Sequence, residues 1–127
     1  MSSTIRRLAL AALLGVSITA AGGSAAQAHV DLVSSSPAAG SVTGLLLRKV
    51  SVRFSGPIRS GTLKVFRVSN GKKVSIGNGG RDPQSVRKLL TRLRSGLAPG
   101  RMRVRWTVVS ADGHREAGTF TFRMRRR

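Results

Sequence analysis

Residues 101–109 read RMRVRWTVV, and this strict alternation constrains the fold more than any other feature of the chain. Met102, Val104, Trp106 and Val108 fall on one side, and Arg101, Arg103, Arg105 and Thr107 on the other, which is the pattern of a strand with one dry and one wet face. The same period recurs in KVSVRFS, with Val50, Val52 and Phe54 inward, and in TFTFRMR, with Phe120, Phe122 and Met124 inward. GTLKVFRV and NGKKVSI flank Asn70-Gly71, a dipeptide suited to a hairpin turn. VDLVSSSP reads as a first strand ended by Pro37, and LAPG as the turn before Arg101. In PQSVRKLLTRLRSGL the residues Leu89, Leu90 and Leu93 suit one helical face, but strands on both sides favour an extended segment equally. Several short strands separated by turns predict an all-β domain, an antiparallel sandwich or small barrel, with the strand order undetermined.

The first 28 residues have a separate purpose. Arg6 and Arg7 precede the apolar run LALAALLGVSITAA, and Ala26-Gln27-Ala28 forms a small-x-small triplet. The run is shorter than the roughly 20 residues that span a bilayer, so residues 1–28 are expected to be a signal peptide cleaved after Ala28. Residues 29–127 then form one extracytoplasmic domain, periplasmic or secreted. With no cysteine, this domain has no disulfide to supplement a modest core.

The full chain carries a formal charge of +19, from 23 lysines and arginines against four aspartates and glutamates. Without the leader about +17 remains, a balance that favours anionic envelope surfaces as partners. Nucleic acid is not expected, because the product is exported and has no tyrosine and one tryptophan to stack on bases. Trp106 lies on an inward face and reads as core. The terminal RMRRR reads as a solvated basic tail.

Histidine occurs twice, and both occurrences have chemistry in their favour. Cleavage after Ala28 makes His29 the first residue, so its α-amine and imidazole can chelate one ion. In SADGHREAG, Asp112 and His114 are one residue apart and project to the same side of an extended segment. Together they offer nitrogen and oxygen donors of the kind Cu(II) prefers. Three of the four carboxylates, Asp31, Asp112 and Glu116, lie within two residues of a histidine. In so basic a chain, that clustering would offset the repulsion a divalent cation otherwise meets, and it marks Asp31 and Glu116 as neighbours of the ion.

AHVDLVSSSPAAGS and RVRWTVVSADGHREAGTFTFRM resemble the two signature ends of the CopC copper-resistance family. The resemblance implies a cupredoxin-like, Greek-key β-sandwich or barrel of about seven strands that binds Cu(II) outside the cytoplasm. It carries the ligand set onto His29, through amine and imidazole, and onto Asp112 and His114. It also implies copper sequestration, resistance or delivery, with a CopD-like membrane copper transporter as a possible partner. Some members hold Cu(I) at a methionine-rich site, but Met102 and Met124 both lie on the inward, core faces of alternating strands here, so no such site is expected.

The expected role is therefore binding rather than catalysis. Two other classes are compatible with the sequence. One is an oxidative copper enzyme built on a histidine brace, which the scarcity of surface aromatic residues disfavours. The other is a cationic envelope-associated module whose histidines are incidental.

Overall fold

A computed structural model describes residues 29–126. The expected leader and its cleavage site lie outside the described residues. Eight strands run in order: β1 (Leu32–Ser36), β2 (Val42–Thr43), β3 (Lys49–Phe54), β4 (Ile58–Arg67), β5 (Ser75–Arg81), β6 (Lys88–Leu93), β7 (Gly100–Ser110) and β8 (Arg115–Met124). They form two four-stranded sheets, β1-β3-β6-β5 and β2-β8-β7-β4. Among the described residues no segment is helical.

Alternation became burial as the sequence predicts. Val50, Val52 and Phe54 face Met102, Val104, Trp106 and Val108 across the sandwich, joined by Leu63, Val65, Phe122 and Met124. Both methionines of the domain are fully buried, and Phe120 packs partly against the same core. The Phe54 and Trp106 rings meet edge to face, with centroids 5.1 Å apart. The ambiguous leucine segment is extended: Leu89, Thr91 and Leu93 turn inward while Leu90 turns out. A hydroxyl therefore occupies a core position, and Thr91 Oγ1 is buried with no partner among the described residues. Replacing it with an isosteric methyl removes an unmet donor and acceptor, so Thr91→Val is expected to stabilise the fold by about 1 kcal/mol in denaturant titration.

Three details depart from the sequence reading. First, β2 makes an eighth strand, and it pairs in parallel with β8 in an otherwise antiparallel fold. Two residues are too few to show a period. Second, the hairpin at Asn70-Gly71 forms, with Gly71 at φ 69° and Val74 N–H donating to Val65 O at 2.8 Å, but it does not persist. Third, the chain then leaves β4 and joins β6 in the other sheet. Gly79 (φ 63°) permits this crossing, because a Cβ there would lie 2.7 Å from Leu63 O in one sheet and 2.9 Å from Leu90 O in the other.

Candidate metal centre

Both histidines lie at the same end of the sandwich. The first anchor is Val30, whose side chain is 3% exposed and packs into the core directly after His29. Asp31 then clasps the loop after β3: its N–H donates to Ser55 Oγ at 2.9 Å, and Ser55 N–H donates to Asp31 O at 2.8 Å. The segment before β1 is held by one apolar side chain and two hydrogen bonds, which leaves His29 at the rim.

The second anchor is the β7–β8 turn. Ser110 N–H donates to His114 O at 2.8 Å, and Gly113 N–H returns to Ser110 O at 2.9 Å, with Gly113 at φ 91°. Ala111 N–H donates to Pro57 O at 3.2 Å, and Arg59 Nη2 donates to Ala111 O at 3.0 Å, so the turn is tied to the start of β4. Register does the rest. Glu116 pairs with Val108, an inward position, so its side chain points into the mouth of the sandwich rather than onto the wet face.

The result is two histidine–carboxylate pairs. His29 Nδ1 lies 3.0 Å from Glu116 Oε1, and His114 Nδ1 lies 2.8 Å from Asp112 Oδ2. An ionised carboxylate only accepts, so each Nδ1 carries the proton and each Nε2 is left facing away. Asp112 is the more constrained acid. Its Oδ1 accepts from the Ser110 hydroxyl and from His114 N–H at 3.1 Å. The Ser110 hydroxyl, then the His114 amide and the His114 ring, hold the Asp112 carboxyl well below the usual carboxylate range. Hydrogen bonds that favour the charged form stabilise the turn above the ordinary carboxylate titration, and that contribution is lost as pH falls below it. At neutral pH Asp112 is a fixed negative charge.

Of the predicted residues, the structure joins Asp112 to His114, and His29 to Glu116. Asp31 contributes its main chain, and its carboxylate joins neither pair. Among the described residues, no three histidine or acidic side chains converge closely enough to enclose an ion. The donors are nonetheless of the right kind for Cu(II), with imidazole nitrogen and carboxylate oxygen at one partly exposed rim. Sequence reasoning missed Ser110 and Ser55. Ser110 had a readable trace, since a serine two residues before Asp-Gly commonly bonds within the turn, whereas the Ser55 clasp depends on a partner 24 residues away.

Comparison with known proteins agrees with this architecture. Residues 32–125 match the CopC domain family, a span that includes Asp112, His114 and Glu116 and begins just after His29. Protein YobA of Escherichia coli (strain K12) is 30% identical over 124 residues, covering 96% of this chain and 98% of YobA. The crystal structure of CopC from Methylosinus trichosporium OB3b superposes with a TM-score of 0.66 at 27% identity, covering 76% of this chain and 93% of that one. PcoC, a methionine-rich copper resistance protein from Escherichia coli, superposes at 0.63 with 25% identity, covering 77% and 100%. With matched sequence over most of its length and a shared two-sheet fold, the chain belongs to the CopC domain family.

Proposed function

We propose that the domain, exported and cleaved after Ala28, binds one Cu(II) ion at this rim. Its ligands are the His29 α-amine and imidazole, His114 and Asp112. The observation that supports the reading is the meeting of His29 with Glu116 across 87 positions, which brings His29 to the strand that starts beside His114. Chelation by amine and imidazole of one residue closes a six-membered ring through Nδ1. In the metal-free chain that nitrogen holds a proton against Glu116, and the Nδ1 of His114 holds one against Asp112. Binding through His29 Nδ1 replaces the Glu116 contact, shifts that ring's proton to Nε2, releases the proton of the α-ammonium group, and leaves Glu116 as a negative charge beside the ion.

The role is non-enzymatic: sequestration, resistance, or delivery to a CopD-like membrane copper transporter, in the periplasm or outside the cell. Four protein donors leave little open coordination for turnover, and Trp106, the one tryptophan, is in the core rather than on a substrate-binding surface.

Cu(II) titration of the 29–127 product, followed by Trp106 fluorescence and electron paramagnetic resonance, tests this. The expected result is one ion per chain, bound more weakly as pH falls from about 8 to about 5, because the free α-amine (ordinarily near 8) and the imidazoles must both lose protons. An affinity that is flat across that range would refute the chelate.

A further inference from the structure

The end of the sandwich opposite the histidines carries a different chemistry. Strand direction defines it: Lys49 opens β3 opposite Arg92, Gly100 opens β7 opposite Met124, and Arg125 N–H donates to Thr43 O at 2.9 Å. The loop from Gly44 to Arg48 joins β2 to β3 at this end. Leu45 and Leu47 pack partly against the core, while Leu46, at the tip between them, is 86% exposed. No other large apolar side chain among the described residues is so exposed; Val42 and Ile76 are also open to solvent at this end, and Val33 and Val86 towards the other. Thr43, Gly44, the three leucines and Arg126 line an open cleft of about 540 Å³.

Arginine surrounds this apolar tip. Arg48, Arg94, Arg101, Arg123, Arg125 and Arg126 all fall at this end by register or sequence. The side-chain acids do not. Asp31, Asp112 and Glu116 sit with the histidines, and Asp82, whose N–H donates to Lys88 O, lies beside the Arg53–Lys88 pair near the same end as Ser55. The acids are thus sorted along the long axis: every side-chain carboxylate lies towards one end among bases such as Arg53, Arg59, Arg87 and Arg115, while the arginines of the other end have no acid beside them.

We propose that this arginine-ringed leucine tip docks on an anionic phospholipid bilayer, with Leu46 entering the acyl boundary and the arginines binding headgroup phosphates. Cations alone would suit any polyanion. The apolar tip separates the cases, because a leucine gains nothing from a hydrated polymer and gains transfer free energy from lipid. Two weak signals, one apolar and one electrostatic, together give stable but reversible attachment. With β8 spanning ten residues, the docked end and the histidine rim stand about 30 Å apart, so the rim faces away from the bilayer. The inference is independent of copper.

Vesicle sedimentation of the 29–127 product, which contains the whole sandwich, provides the test. Binding to phosphatidylglycerol-containing vesicles and not to pure phosphatidylcholine is expected. Leu46→Ser, at a position that contributes nothing to the core, should weaken it about tenfold. Arg125→Gln/Arg126→Gln should weaken it by more than tenfold, at roughly fivefold per charge, while Arg53→Gln/Lys88→Gln, with the same net charge, should bind nearly as the parent does. The chain has no cysteine, so Leu46→Cys accepts a single polarity-sensitive dye, whose emission should shift to the blue on vesicles. Equal losses in the two charge pairs, or parent-like binding by Leu46→Ser with no dye shift, would overturn the proposal. Full displacement of the vesicles by soluble polyphosphate with no effect of Leu46→Ser would instead make this end a site for a soluble polyanion.

Discussion

One residue added before His29 is expected to lower Cu(II) affinity by roughly a hundredfold or more while leaving the fold intact. The addition turns the α-amine into an amide nitrogen, which is a poor ligand at neutral pH, and the chelate loses one of its two arms. Loss of a group that merely orients a ligand typically costs ten- to a hundredfold, so loss of a ligand should lie at or beyond the upper end, about a hundredfold. The fold is spared because its anchors come later in the chain: Val30 in the core and the Asp31–Ser55 clasp. Thermal unfolding of the metal-free protein should therefore be unchanged. Isothermal titration beside a chain that begins at His29 measures the effect, and matching affinities would remove the amino terminus from the site. That result would leave the lipid-docking end untouched, because it shares no residue with the rim.

The second large effect concerns the core. Gly118 stands opposite Trp106 in the β7–β8 register, and a Cβ built there would fall inside the contact radius of the indole Cζ2 and Cε2 atoms. The tryptophan lies flat across a backbone that has no side chain. Gly118→Val must therefore either push β8 away from β7 or expel the indole from its edge-to-face contact with Phe54. Overpacking of this kind, or the loss of a large aromatic side chain from its site, costs about 3 kcal/mol. That is a large share of the roughly 5–15 kcal/mol that holds a domain together. Thermal denaturation should shift down by roughly 15 °C, with Trp106 emission moving to longer wavelength in the folded baseline as the ring meets water. A parent-like melting curve would mean that the indole has room to move, contrary to the packing described.

How much of this was legible beforehand follows from where each signal lies. β3, β7 and β8 were readable because their inward residues are contiguous in sequence and alternate without error. The leucine segment was not, because Leu89 and Leu93 fit both a period of two and a helical face, and only pairing with β3 on one side and β5 on the other decides between them. β5 itself was partly hidden: its Gly77 and Gly79 carry no apolar period, and the need for glycine at 79 comes from carbonyls 16 and 11 residues away in two different sheets.

At the rim, rarity made the residues visible: two histidines and four acids stand out among 23 bases. The sequence spacing linked Asp31 to His29 and Glu116 to His114. Folding kept Asp112 with His114 but paired Glu116 with His29, because the β7–β8 register turns Glu116 inward while the Ser55 clasp uses only the main chain of Asp31.

The described ends of the domain are also unequal as points of attachment. His29 stands on the histidine rim, whereas Arg125 and Arg126 leave β8 at the far end, beyond the bond from Arg125 N–H to Thr43 O. Anything joined after Arg126, whether a tether, a reporter or another folded unit, projects from that far end and leaves the rim in open solvent. Anything joined ahead of His29 is attached at a residue of the histidine–glutamate pair. A carrier on the tail spares the proposed copper rim and crowds the arginine end, and a carrier on the head does the reverse.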